Sequence, residues 1–392
     1  MRPLDGITVV SLEQAVSAPF CTRQLADMGA RVIKVERPGV GDFARSYDER
    51  VRGMASYFVW CNRSKESLTL DLKHPESREV LAKLLSFADV LVQNLAPGAA
   101  SRLGLSYEEL KTKHPRLIVC DISGYGADGP YRDKKAYDVL IQSESGLISI
   151  TGTPEEPSKA GCAIADISAG MYGFSNILGA LIKLSKTGHG SHIDVSMFES
   201  MVEWTTYGLY YSFEGAPPPA RAGASHPGIY PYGPFTSGDG KTVMLGLQNE
   251  REWAIFCEKV LGKPELEQDP RFSSNSRRAI AREELTAIIH GVFSTLTAEQ
   301  VIERLDTAPI ANARMNDMHD VWSHAQLKAR NRWVEITSPV GNIPALLPPG
   351  APEAYSPRMA AVPALGEHTT AIMRELGYNE EAIARLRDAK AI

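Results

Sequence analysis

The sequence predicts an α/β fold, a mostly parallel sheet covered by helices on both faces, accompanied by a smaller α/β domain. Three observations predict it. Buried-strand patterns alternate with helical ones through the first half of the chain, as parallel βαβ units require. Residues 7–36 already compress one strand, one helix and a second strand into thirty positions. At 392 residues the chain also exceeds what a single core comfortably fills.

Taken in order, "ITVVSLE" (7–13) reads as a buried strand and "APFCTRQLADMGA" as a helix opened by Ser17 and Pro19 and closed at Gly29. "RVIKVE" (31–36) is the next strand, followed by "SLTLDL" (67–72), "ADVLVQN" (88–94) and "LIVCDISGYG" (117–126), with the helical "PESREVLAKLLSF" between the first two of these. A long helix is expected at or just after Asp166, because Ile167, Met171, Phe174, Ile177, Leu178, Leu181 and Ile182 recur at three- and four-residue steps. "GSHIDVSMFESMVEW" then turns a short strand into a helix. The stretch 213–235, "FEGAPPPARAGASHPGIYPYGPF", is dense in proline, glycine and alanine and reads as a crossover rather than a helix or strand. Beyond it a strand ("KTVMLGLQ") and three helices ("EREWAIFCEKVL", "REELTAIIHGVF", "TAEQVIERLDT") outline the smaller domain. The expected organisation is a large domain over 1–212, a crossover and small domain over 213–330, and a return to the large domain over 331–392.

Composition narrows the function. Hydrophobic residues make up 43% and charged residues 23%, as in an ordinary folded protein, and a net charge of -5 provides no basic field for DNA or RNA. Five scattered cysteines (Cys21, Cys61, Cys120, Cys162, Cys257) suggest neither a disulfide framework nor a zinc site and fit a reducing cytoplasm. No signal core opens the chain, and no apolar run reaches the roughly 20 residues a membrane span needs. The first strand-to-helix turn, "SLEQAVSAPF", lacks the glycines of a dinucleotide site, and no P-loop, zinc-protease or G-x-S-x-G motif occurs. These absences argue against NAD, ATP, metal and serine-hydrolase chemistry. His192 lies inside a strand, where a satisfied histidine is commoner than a ligand, whereas His226 precedes Pro227 in the crossover, where loops carry function.

Two features remain. Asp166 stands among small residues at a helix start, where an aspartate either caps the helix or does chemistry. Lys34, Arg37, Lys73, Arg102, Lys134 and Lys135 follow or end strands, and in a parallel sheet such positions converge at the carboxyl edge, where ligands bind. As a set they suggest a polyanionic ligand held without a glycine cradle.

The ordered motifs "PLDGITVVSLEQAVSAPFCTRQLADMGARVIKVERPGVGD", "NRSKESLTLDLK", "NLAPGAASRLGL", "ISGYGADGPYRDKKAYD", "ADISAGMYGFSNILGALI" and "TGHGSHIDVSMFES", with "APIANARMNDM" and "LGEHTTAIMRELGY" near the end, resemble the class III CoA-transferases. That superfamily includes formyl-CoA transferase, carnitine CoA-transferase and α-methylacyl-CoA racemase. The resemblance implies a Rossmann-like large domain plus a smaller α/β domain, in two ring-like chains interlocked as a homodimer. It implies that Asp166 is the nucleophile, held ionised by its helix N-terminus, forming an acyl anhydride and then a CoA thioester. It implies CoA contacts at Val16, Ala18, Arg37, Leu70, Asp71, Leu72, Lys73, Asn94, Leu95, Ala96, Arg102, Lys135, Ala136, Tyr137 and Asp138, with coenzyme A as acyl-CoA substrate and neither metal nor NAD.

Substrate and reaction type are read from departures. The glycine run that closes over the site in formyl-CoA transferases is absent, since the corresponding region reads "YPYGPF" and "GLQNEREW", which disfavours formate and oxalate. Racemases pair the aspartate with a histidine where this chain has Tyr137, and an unperturbed tyrosine, with a pKa of about 10, is a poor base, so transfer is favoured over racemisation. A CoA-binding protein without turnover is the remaining alternative. Arg221, His226, Tyr230 and Tyr232 in the crossover resemble the segment of relatives acting on C4 and C5 dicarboxylates such as succinate, itaconate, mesaconate and citramalate. Arg221 there either binds a second carboxylate or salt-bridges across the dimer.

Overall fold

The computed structural model describes residues 1–351 and 353–392. The chain divides into two units, one of Met1–Leu147, Ala160–Tyr207 and Leu327–Ile392, the other of Ile148–Lys159 and Gly208–Gln326.

In chain order the first stretch gives β1 (Thr8–Leu12), α1 (Ser17–Asp27), β2 (Arg31–Glu36), α2 (Ser56–Asn62), β3 (Lys65–Thr69), α3 (Ser77–Ser86), β4 (Val90–Gln93), α4 (Ala99–Arg102), α5 (Tyr107–Lys113) and β5 (Ile118–Ser123). It continues with α6 (Asp138–Glu144), α7 (Leu147–Ile150), α8 (Ile164–Thr187), β6 (His192–Ser196) and α9 (Met197–Tyr211). The six strands form one sheet in the order β3-β2-β1-β4-β5-β6, every pair parallel. Residues of alternate parity face opposite sides. Val9, Val32, Val90 and Cys120 pack under α1 and α8 through Leu25, Ala26, Ile177 and Ala180. Val10, Ile33, Leu91 and Val119 pack under α3 through Val80, Leu81 and Leu84, and under Ile372, Met373, Ile383 and Leu386 from the end of the chain. Each such fully buried aliphatic side chain contributes about 1.5–3 kcal/mol. Strand order reverses direction between β1 and β4, which opens a crevice at the carboxyl edge.

β3 corrects the expected strand at 67–72. It starts at Lys65, because that lysine is neutralised in the interior by Glu13, and it ends at Thr69, because the Asp71 carboxylate accepts the Lys73 N–H at 3.0 Å and turns the chain. α8, at 24 residues, is long and apolar enough to cross a membrane by length and composition, yet it buries Ala165, Ala169, Gly173, Ile177 and Ala180 against the sheet and α1 as a core helix does.

The second unit carries β7 (Tyr232–Thr236), β8 (Thr242–Gly246), α10 (Glu250–Ile255), α11 (Asn275–Ile280), α12 (Arg282–Phe293), α13 (Ala298–Thr307), β9 (Ala311–Arg314) and α14 (Met318–Trp322). Its antiparallel sheet, β7-β8-β9, covers a core of Phe235, Val243, Leu245, Trp253, Phe256, Phe293 and Leu305. β7 corrects the reading of 213–235 as strand-free: Pro234 is tolerated because β7 is an edge strand. The chain then adds α15 (Ala325–Ala329), the hairpin β10 (Trp333–Ile336) and β11 (Ile343–Leu346), α16 (Thr369–Glu375) and α17 (Glu380–Asp388), the last two against the large sheet.

Candidate active site

Asp166 is the third residue of α8 and makes no cap of its own, so its helix begins two residues earlier than the sequence pattern indicates. The cap comes from Asp138, the first residue of α6, whose Oδ1 accepts the backbone N–H groups of Ala165 at 2.8 Å and Asp166 at 3.3 Å. Asp138 is fixed in turn by Gln142, whose Nε2 donates to its Oδ2 at 2.6 Å. Capping therefore falls to Asp138, and Asp166 is left with its side chain uncommitted to its own helix.

This geometry reverses the expectation that the helix N-terminus holds Asp166 ionised. Burial, followed by the charge of Asp138, raises its pKa to about 7, while the hydroxyl and backbone N–H of Ser17 pull the other way. Ser17 is the first residue of α1, and it is near because two glycines let α1 and α8 approach closely. A Cβ on Gly170 would lie 2.7 Å from the Ser17 carbonyl oxygen, and one on Gly173 would lie 3.1 Å from Ile122 and 3.3 Å from the Cys21 sulfur.

The turn before α1 is held from two sides. Asn94 accepts the Gln14 N–H at 2.9 Å, donates to the Gln14 carbonyl at 2.9 Å and reaches the Ser17 hydroxyl at 3.2 Å. Asp42 accepts the N–H of Ala15, which sits at φ 63°, at 3.0 Å. Behind it lies a fully buried charge cluster in which Lys34 bridges Asp42 at 2.7 Å and Glu13 at 3.3 Å, and Lys65 reaches Glu13 at 2.7 Å. Lys34 thus lies inside the sheet rather than at its edge, which corrects its place among the ligand cations. Lys134 is engaged as well, with Glu144 at 3.0 Å and over the Tyr131 ring.

Near Asp166 stands a group of aromatic side chains. Tyr47 packs on Phe43 and Tyr57, Tyr57 on Trp60, and Trp60 on Phe20. Burial, then the charges of Asp42 and Asp166, push the Tyr47 phenol up to about 12, so it remains a hydrogen-bond donor. Tyr137, next to Asp138, is 68% exposed.

Because all six strands run in one direction, the segments after β1, β2, β3 and β4 leave the sheet at the same edge. Arg37, Lys73, Ala96 and Arg102 are exposed there, with Asp71, Leu72 and Leu95 half-buried. A cavity of about 350 Å³ lined by Pro38, Gly39, Thr69, Gly366, Thr369 and Arg387 lies directly after Arg37. Lys135 is exposed on the segment leading to α6, where Ala136 packs so close that a Cβ on Gly124 would meet it at 2.3 Å. Among the implied CoA contacts, Ala18 and Leu70 have side chains fully buried in the two cores on either face of the sheet, and Val16 is nearly so, which leaves their backbone groups as what they could present to a ligand.

Arg221, His226 and Tyr230 lie in the second unit, and each is engaged there. The Arg221 guanidinium donates to the carbonyls of Thr153 at 2.8 Å, Ser149 at 3.3 Å and Pro154 at 2.7 Å, tying residues 148–159 to this unit. His226 accepts the N–H groups of Gly228 and Ile229 on Nδ1 and stacks on Tyr232, and the Tyr230 hydroxyl bonds Thr286. His192 is a satisfied strand histidine, bonded to Asp121 at 2.8 Å and stacked on Tyr107. Ser17, Tyr47 and Tyr57 are not picked out by sequence reasoning. Ser17 is visible in sequence only as a helix opener, and two tyrosines in an irregular loop carry no periodic signal.

A six-stranded parallel sheet with cations at its carboxyl edge is the architecture of an α/β enzyme that takes an anionic ligand. The comparisons agree on which one. The family model described as CoA-transferase family III matches residues 4–369, and the chain belongs to that family. It is 34% identical to succinyl-CoA:glutarate CoA-transferase of Mus musculus, over 98% of this chain and 89% of the relative. It is 35% identical to acetyl-CoA:oxalate CoA-transferase of Acetobacter aceti, over 85% of this chain and 86% of the relative. Among solved structures, a CAIB/BAIF family protein from Brucella suis superimposes with a TM-score of 0.85 at 34% identity, covering 96% of this chain and 99% of the other. The protein is a family III CoA-transferase.

Proposed function

We propose that this CoA-transferase moves CoA from an acyl-CoA to a free acid through Asp166, with a C4–C5 dicarboxylate such as succinate, glutarate, itaconate, mesaconate or citramalate as one of the two acids. One observation carries the assignment of the nucleophile: Asp166 is a partly buried carboxylate whose helix is capped by another residue, leaving it available for attack. In the forward direction an Asp166 oxygen attacks the thioester carbonyl carbon, the C–S bond breaks, and CoA leaves as thiolate from a mixed anhydride. The thiolate then attacks the Asp166 carbonyl carbon and expels the donor acid as a carboxylate, which leaves CoA on Asp166 as a thioester. An incoming carboxylate reverses both steps.

The dicarboxylate is supported by the glutarate-acting mouse relative and by the absence of the glycine run. The oxalate-acting relative keeps the shortest dicarboxylate in the test. Exchange with succinyl-CoA against a panel of mono- and dicarboxylic acids is expected to favour C4–C5 dicarboxylates; turnover of monocarboxylates alone would remove the substrate assignment and leave the transferase intact. Wild type incubated with acyl-CoA is expected to gain the mass of CoA on the Asp166 peptide, and Asp166→Ala to lose both this adduct and turnover. Near-normal turnover by Asp166→Ala would overturn the nucleophile.

A further inference from the structure

Asn94 follows β4 at the ligand edge, where a polar side chain could face CoA, yet its amide is spent inside the protein. Its Oδ1 accepts the Gln14 N–H, and its Nδ2 donates to both the Gln14 carbonyl and the Ser17 hydroxyl oxygen. The backbone just after it is anchored too, since the Leu95 N–H donates to the Gln93 side chain at 2.7 Å and Gln93 donates to Asp121 at 2.8 Å.

The consequence lies in the hydroxyl proton. A serine hydroxyl has one proton and two acceptor lone pairs. When Nδ2 of Asn94 fills a lone pair, the proton of Ser17 is directed elsewhere, and Ser17 is itself buried, with its carbonyl under Gly170, one turn beyond Asp166 in the same helix. The carboxylate of Asp166 is the acceptor that α1 and α8 bring to it. We propose that Ser17 donates its hydroxyl hydrogen to the Asp166 carboxylate and that Asn94 is a positioning residue which aims this hydroxyl, rather than a contact to CoA.

The assignment rests on Asp166 being the nucleophile. The stabilising action of Ser17 on the ionised form of Asp166, set against burial and Asp138, agrees with this geometry. It also gives Ser17 a task distinct from fold stability: it increases the fraction of nucleophile that is ionised, and it tempers the attack by sharing the oxyanion's charge.

The test is the pH profile of CoA exchange by the full-length protein with succinyl-CoA, for wild type, Ser17→Ala, Asn94→Ala and the double variant. Ser17→Ala is expected to move the midpoint of the kcat rise upward by about one pH unit, the size of one hydrogen bond to a charged group, with KM for succinyl-CoA unchanged. Asn94→Ala is expected to shift the midpoint in the same direction and to lower kcat at least several-fold with KM little altered, and the double variant to shift no further than Ser17→Ala alone. Thermal melts identify any variant that has lost its fold, and CoA capture on Asp166, read by intact mass, checks the underlying nucleophile separately. If Ser17→Ala still captures CoA on Asp166 while its midpoint stays where wild type has it, the hydroxyl role is overturned. If Asn94→Ala raises KM for succinyl-CoA and leaves kcat and the midpoint alone, Asn94 is a CoA contact and the positioning role is overturned. If Asp166→Ala turns over normally, the fault lies in the nucleophile assignment and not in Ser17.

Discussion

Asp166 is held at a cost to the fold in its ionised form. Its folded pKa of about 7 lies above the ordinary 3.8, so the native state binds this proton more tightly than the unfolded chain does. Stability from this group therefore falls as pH rises between about 4 and 7, and the loss is complete above 7. Asp166→Asn is expected to raise the Tm at pH 8 and to leave it unchanged near pH 4, a gain on the order of 1–4 kcal/mol. Under the proposed mechanism catalysis runs the opposite way, because the attacking form is the carboxylate: kcat should rise through about pH 7 in the wild type. Asp138→Asn removes the neighbouring charge and should shift that midpoint down, opposite to Ser17→Ala. At this scale the place of Asp166 near a helix start is legible in the sequence, through its small neighbours and the apolar periodicity that follows it. Its pKa is not, because it is set by Asp138, twenty-eight positions away, and by burial that no local pattern records.

Among the elements, the contact of α1 with α8 is the one that builds the site. Gly170→Ala would place a methyl 2.7 Å from the Ser17 carbonyl, a backbone atom that can yield only if one helix moves. Such overpacking should lower stability by about 1–3 kcal/mol and reduce kcat more than KM, read by a melt and a steady-state assay. The sequence makes the long apolar face of α8 plain but misplaces its start, since a cap donated by α6 leaves no mark beside Asp166. β3 is displaced for a related reason. Lys65 and Glu66 look like loop residues until the charge that neutralises the lysine, Glu13 just after β1, is known. β9, with the sequence Ala-Asn-Ala-Arg, is a largely exposed edge strand with no alternation to find.

In the molecule as a whole, the parallel sheet is readable from the alternation of patterns, whereas its strand order and the cluster of Glu13, Lys34, Asp42 and Lys65 are not. It ties β2 and β3 to the turn between β1 and α1, and Glu13→Gln, which leaves two buried ammonium groups short of a partner, should cost about 3–5 kcal/mol in a denaturant titration. The homodimer implied by the family resemblance has a candidate surface in Trp204, Tyr207, Tyr210 and Tyr211, all exposed along the end of α9. Light scattering should give twice the 42.8 kDa chain mass, and a monomer would remove that proposal. The return of α16 and α17 to the large sheet also sets a timetable for biosynthesis. Strands β1 to β6 have all been synthesised by residue 196, but Ile372, Met373, Ile383 and Leu386, which cover Val10, Ile33 and Leu91, are made almost two hundred residues later. At about 5–20 residues per second the nascent chain carries an apolar sheet face only partly covered by α3 for roughly ten seconds or more, and a stop codon anywhere before α16 should yield aggregated protein rather than a shortened enzyme.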